Sequence, residues 1–195
     1  MKYVLATSNK GKIREMREIL QGLGIEVVSQ SELGLNVCVE ETGTTFMENA
    51  LLKAKAVCKA SGLPAIADDS GLVVEALGGE PGVYSSSYGG EGLDDNGRCE
   101  HLLNNMKNME LRVAKFVCTV VCFFPDGEIV SAQAECCGEI LRSAQGDGGF
   151  GYDPVFLVEG MDKTMAQLSP EEKNAVSHRG AALRQFAERI RNVKQ

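Results

Sequence analysis

The stretch from Val113 to Phe124 constrains the fold more than any other. Read at the two-residue repeat of a strand, Phe116, Cys118, Val120 and Cys122 fall on one side, and Val117, Val121 and Phe123 on the other. A strand that is apolar on both sides has to be covered on both, so it belongs inside a sheet with a layer packed on each face. Pro125-Asp126-Gly127 is turn chemistry, and Glu128 to Cys137 pairs back as the second arm of a hairpin. Upstream, strands alternate with helices. Lys2 to Ala6 reads as a strand, and Ile13, Met16, Leu20 and Leu23 then recur at helical spacing as far as Gly22 and Gly24. Ile25 to Ser29 is a short strand, and Val37-Cys38-Val39 a further extended piece.

A second helix is expected from Thr44 or Thr45, with Glu48 placed for a capping box, to Ala60 or Ser61, where Gly62 stops it. Phe46, Ala50, Ala54 and Val57 form its apolar stripe, while Asn49 and Lys53 share another face. Asp94 or Asp95 caps a helix carrying Leu102, Leu103 and Met106. Val155-Phe156-Leu157 is a short strand, Ser169-Pro170-Glu171-Glu172 a strong helix start, and the last helix carries Leu183, Phe186, Ile190 and Val193. No repeat or linker divides the chain. The expected class is α/β with a mixed sheet, in one domain over residues 1–195.

A net charge of −7 argues against a nucleic-acid polymer as partner, because such a partner needs a basic surface, though a small anion in a local basic pocket stays compatible. No run approaches the roughly 20 apolar residues of a membrane span, and Met1 to Ala6 is too short for a signal-peptide core, so a cytoplasmic protein is expected. Seven scattered cysteines and two histidines give no zinc spacing and suit reduced, mostly buried thiols.

Four stretches carry chemistry. Ala67-Asp68-Asp69-Ser70-Gly71-Leu72 places two acids between apolar runs. It reads as a strand tip presenting carboxylates to a cation or a water, with Asp68 and Asp69 on opposite faces, or equally as a hairpin turn. Thr7-Ser8-Asn9-Lys10-Gly11-Lys12 sits between a strand and a helix, where free N–H groups and the dipole favour phosphate; a plain loop with solvated lysines reads as well. The stretch from Gly146 to Pro154 crowds four glycines around Phe150, Tyr152 and Asp153, which suits a ring-stacking loop as well as a flexible one. Ser177-His178-Arg179 opens a helix with a forked cationic donor.

Taken together and in order, Thr7-Ser8-Asn9-x-x-Lys12, Glu41-Thr42-Gly43-x-Thr45-Phe46-x-Glu48-Asn49-Ala50, Asp68-Asp69-Ser70-Gly71, Phe150-Gly151-Tyr152-Asp153-Pro154 and Ser177-His178-Arg179 resemble the inosine triphosphate pyrophosphatase, or Ham1-like, family. The resemblance runs from Val4 to about Leu183 and is closest to the bacterial members. It implies hydrolysis of dITP, ITP or XTP to the monophosphate and pyrophosphate. It also implies Mg²⁺ (with Mn²⁺ as a substitute), an elongated mixed sheet flanked by helices, two lobes with a cleft between them, and a homodimer. By the same resemblance, Thr7, Ser8, Asn9, Lys10, Gly11 and Lys12 would hold the phosphates and Lys53 would reach them. Glu41 and Asp69 would hold the metal, Asp69 would also act as general base, and Ser70 would lie beside it on substrate. Phe150, Gly151, Tyr152, Asp153, Lys173, His178 and Arg179 would cradle the base.

The chemistry agrees with those residue types. Hydrolysis at the α-phosphorus needs an oriented water and cations on the leaving group. Selectivity needs a donor aimed at the purine 6-position, which is a carbonyl in inosine and xanthine and an amino group in adenine. Rivals are a pyrophosphatase of broad or modified-pyrimidine preference and a catalytically silent nucleotide-binding module. The chain departs from the family pattern at Ser87, where an arginine is usual, at Ala144-Gln145 in place of Pro-Arg, and at Gln167 in place of glutamate.

Overall fold

The computed structural model describes residues 1–193; Lys194, Gln195 and the side chain of Val193, the last member of the expected apolar stripe, lie outside the described residues. The chain begins β1 (Lys2–Leu5), α1 (Lys10–Gly22), β2 (Glu26–Ser29), α2 (Phe46–Ser61) and β3 (Ala65–Val74). It continues α3 (Asp95–Asn105), β4 (Val113–Phe123), β5 (Ile129–Ile140), β6 (Phe156–Val158), α4 (Pro170–Val176) and α5 (His178–Val193). The strands form one six-stranded sheet in the order β2-β1-β3-β4-β5-β6. β1 runs parallel to both β2 and β3, while β5 and β6 are antiparallel, so the fold is α/β with a mixed sheet.

Local chemistry explains most boundaries. Thr45 and Glu48 form a reciprocal capping box at the start of α2, and Gly62, at φ 70°, ends the helix in the left-handed conformation that glycine adopts without strain. Ser169 and Glu172 do the same for α4, with Pro170 at its first position. Asp94, not Asp95, caps α3 by accepting the Gly97 N–H at 2.8 Å. The β4–β5 turn closes with Phe124 N–H on Glu128 O at 3.0 Å, and β5 runs on to Ile140, three residues past its expected end.

The extended piece at Val37-Cys38-Val39 joins no strand, and its Val37 N–H is held by the Gln30 side chain at 3.1 Å. One expectation fails. The acids at 68 and 69 neither end a strand nor make a turn, because β3 runs unbroken through Asp68-Asp69-Ser70-Gly71 to Val74.

The chain divides into two compact units. Unit 1 comprises Met1–Asp69, Cys118–Ala134 and the chain from Arg179 onward; unit 2 comprises Ser70–Val117 and Glu135–His178. Unit 1 holds two apolar clusters. Leu5, Met16, Leu20, Ile66 and Phe186 meet Cys118, Val120 and Cys122 in one, while Ala50, Ala54, Val57, Ala65 and Ala67 meet Val121 in the other. The two faces of β4 thus feed two different cores, as its sequence requires. Unit 2 has its own cluster around Leu72, Leu102, Phe116, Tyr152 and Phe156.

Candidate active site

Strand alternation sorts the acids of β3. Asp68 shares its face with Ile66, and Asp69 with Ala65 and Ala67, so the two carboxylates enter different surroundings of unit 1. Both are buried, at 1% and 5% exposure. Ionised carboxylates at that depth need cations, and each has its own.

Asp68 Oδ2 lies 3.1 Å from Lys12 Nζ and accepts from Arg179 Nε at 3.1 Å. Arg179 continues the chain of charges, its Nη1 meeting Glu15 Oε2 on α1 at 2.6 Å. The Cys118 thiol points at the same Asp68 oxygen, at 3.9 Å. Burial alone would raise the Asp68 pKa, but Lys12 and Arg179 outweigh it and hold the carboxyl well below the usual carboxylate range. Lys12 itself is placed by the cap of α1: Asn9 Oδ1 accepts the Lys12 N–H at 3.0 Å, and Thr7 Oγ1 accepts the Asn9 N–H at 3.2 Å. Ser8, Asn9 and Lys10 are exposed, and Thr7, Gly11 and Lys12 half-buried. The first turn of α1 therefore presents backbone donors and a lysine to solvent, an arrangement that favours anions.

Asp69 faces α2. Lys53 Nζ stands 2.9 Å from Asp69 Oδ1 and 2.8 Å from Glu41 Oε1, so one ammonium joins two carboxylates. Asn49, one turn before Lys53, donates to Asp69 Oδ2 at 3.5 Å and accepts the Gly43 N–H at 2.8 Å. Burial raises the Asp69 pKa and Glu41 adds to it, with Lys53 offsetting only part. Burial pulls the Lys53 pKa down, yet Asp69 and Asp68 more than restore it, so the ammonium stays charged. A carboxylate of raised proton affinity beside a fixed cation can take a proton from a water.

Unit 2 gathers a different set. The Lys173 ammonium sits 2.7 Å from Asp153 Oδ2 and 4.6 Å from the centre of the Phe150 ring. Asp153 Oδ2 also accepts the Phe150 N–H at 2.9 Å. Tyr152 turns inward, its hydroxyl donating to Ser85 O at 2.8 Å. His178 is 4% exposed and stacks on Phe116 at 4.7 Å with the planes 13° apart. Ser70, half-buried, follows directly on Asp69.

The expected residues thus fall into three groups: Lys12 with Arg179, Glu41 with Lys53 and Asp69, and Phe150 with Asp153 and Lys173. His178 and Arg179, adjacent in sequence, point into different surroundings. Sequence reasoning missed Glu15, Ser85 and Asp95. Glu15, one turn after Lys12 and beside apolar Met16, carried the faint signal of a charge at the edge of a buried stripe.

The sequence profile of the Ham1 family matches residues 3–189. A dITP/XTP pyrophosphatase of Salmonella paratyphi A is 48% identical over 195 residues, covering 98% of each chain. One of Thermus thermophilus is 50% identical over 190 residues, covering 96% of this chain and 91% of its own. The Ham1 protein of Staphylococcus aureus matches with a TM-score of 0.88 at 44% identity, covering 98% of this chain and 99% of its own. A HAM1 protein of Coxiella burnetii matches at 0.89 and 40%, with the same coverage.

Proposed function

The chain belongs to the Ham1 family, and from that premise we propose that it hydrolyses dITP, ITP and XTP between the α- and β-phosphates, releasing the nucleoside monophosphate and pyrophosphate. The observation that carries this reading is the joining of Asp69 and Glu41 by Lys53, beside a helix start that presents Lys12. Asp69 is the general base: it orients a water and takes its proton as the water attacks the α-phosphorus. Lys12, Lys53 and the N–H groups of Lys10 and Gly11 at the helix start, within the Thr7 to Lys12 loop, stabilise the negative charge that builds on the phosphates, and the pyrophosphate leaves against them.

The carboxylates of buried Asp69 and exposed Glu41, converging on one cation, are hard donors of the kind Mg²⁺ takes. Among the described residues, no group of three or more His, Cys, Asp or Glu side chains is placed to hold a metal, so the remaining ligands of such an ion would be phosphate oxygens and water. Glu41 and Asp69 would hold Mg²⁺ (or Mn²⁺), which supplies charge neutralisation at the phosphates when bound.

Recognition of the base falls to the unit 2 set. Phe150 offers a face for the purine with Lys173 and Asp153 beside it, and Gly151 and His178 of the same unit complete the set. Arg179 would add donors for the 6-carbonyl only by sharing itself with Asp68 and Glu15, so its part in selectivity is secondary to its hold on Asp68. No described helix is long and apolar enough to cross a membrane. We take the protein to act in the cytoplasm as a homodimer, which light scattering on the purified chain would test.

The activity test is a panel of ITP, dITP, XTP, GTP and ATP with Mg²⁺, phosphate being assayed with and without added inorganic pyrophosphatase. Pyrophosphate from ITP, dITP and XTP ahead of ATP and GTP is expected. Orthophosphate as the first product, or no product at all, would overturn the reading.

A further inference from the structure

Three consecutive residues of the glycine-rich loop are tied down by four different groups. The Phe150 N–H is held by Asp153, which the base site already uses. The next N–H, that of Gly151, donates to Asp95 Oδ2 at 2.7 Å, and the Gly151 carbonyl accepts from the Cys99 thiol at 3.4 Å. Tyr152, buried at 4% exposure, then reaches Ser85 O.

Both new anchors are themselves fixed. Asp95 stands in the first turn of α3, its other oxygen on Arg98 Nη2 at 2.6 Å, while Arg98 Nη1 donates to Leu93 O. Ser85 Oγ accepts the Leu72 N–H at 2.9 Å, just past Ser70 on β3, and donates to Gly82 O at 2.6 Å. A loop with Gly146, Gly149 and Gly151 at φ 86°, 72° and 62° has a large choice of backbone states when untied. Holding its aromatic residue in one plane therefore falls to the anchors.

We propose that Ser85 and Asp95 are positioning residues for base recognition: through Tyr152 and Gly151 they lock the loop so that the Phe150 ring is presented, under Lys173, as a preformed stacking face. Tyr152, expected from sequence among the residues cradling the base, then acts through its hydroxyl as part of this lock. The inference rests on the function proposed above. Ring recognition gains from a face that needs no ordering when the nucleotide arrives. The phosphate residues of unit 1 make none of these contacts.

The test compares the full chain with Asp95→Ala, Asp95→Asn and Tyr152→Phe. The Michaelis constant for ITP is expected to rise about five- to tenfold in Asp95→Ala and Tyr152→Phe, the scale of one hydrogen bond. Their kcat should stay within about twofold, and inhibition by inorganic tripolyphosphate, which has no base, should not change. Asp95→Asn keeps an acceptor for Gly151 and should recover most of the loss. Amide exchange over residues 146–153 should quicken in Asp95→Ala, a readout that does not depend on turnover.

Unchanged KM together with unchanged exchange overturns the proposal, as does a rise in KM matched by an equal loss of tripolyphosphate binding. Should Asp95→Ala fail to fold, Tyr152→Phe, which keeps the ring in place, decides alone. A parent that releases no pyrophosphate from ITP refutes the function, and the exchange measurement then still judges the lock.

Discussion

A carboxylate between Ala67 and Leu72 has to find a cation, and the acids at 68 and 69 find different ones. Asp68 is ringed by Lys12 and Arg179 and held ionised; Asp69 keeps a raised proton affinity beside Lys53. Asp69→Asn preserves shape while removing the base, so kcat on ITP should fall by roughly 10²–10⁴ with the urea midpoint little changed. Near-parent turnover would remove Asp69 from the chemistry. Arg179→Ala should act on stability, because it removes the buried cation that Glu15 and Asp68 share. A loss of about 3–5 kcal/mol in urea unfolding is expected, and a loss under about 1 kcal/mol would show that the network holds little. The two-residue repeat of a strand already separated the two acids in the sequence. It could not show what they face, since Arg179 reaches Asp68 across 111 residues.

At the scale of elements, capping chemistry was the most legible feature: the boxes at Thr45 and Ser169, and the stop at Gly62, are local and do not depend on the rest of the fold. β3 was harder, because Asp-Ser-Gly favours turns, and only distant cations and cover on both faces make it pay to keep the strand straight. The segment before α2 shows what local patterns omit. A methyl group on Gly43 would stand 2.6 Å from Asn49 Oδ1 and 2.7 Å from Glu48 Cβ. Gly43 is where the chain from Glu41 closes onto α2, and its N–H is bound to Asn49. Gly43→Ala is therefore expected to cost about 1–3 kcal/mol, against about 1 kcal/mol for Thr45→Ala, which loses only a cap. Equal effects in urea unfolding would mean that the close approach at Gly43 does not matter.

Across the whole molecule, five of the seven cysteines, Cys58, Cys99, Cys118, Cys122 and Cys136, are buried, and Cys38 and Cys137 are exposed. Burial pushes Cys99 and Cys136 up to about 11 and Cys118 up to about 12. A raised thiol pKa means less thiolate at a given pH, so alkylation of the folded protein at pH 8 should stop at Cys38 and Cys137. Labelling of all seven should need denaturant; rapid native labelling of Cys118 would refute this. Turnover should fall to background in EDTA and return with Mg²⁺ if Glu41 and Asp69 hold the ion, and full activity in chelator would exclude that role. The Lys53 bridge bears on the order of events. Before any nucleotide arrives, the two acids already share a tethered positive charge, so a divalent ion arriving alone must compete with an ammonium that cannot diffuse away. A triphosphate changes the contest by offering Lys53 an anion of its own. Calorimetry should therefore find the free protein a poor partner for Mg²⁺ alone and a good one for the metal–nucleotide complex. Lys53→Met should bind bare Mg²⁺ more tightly than the parent does, while losing turnover.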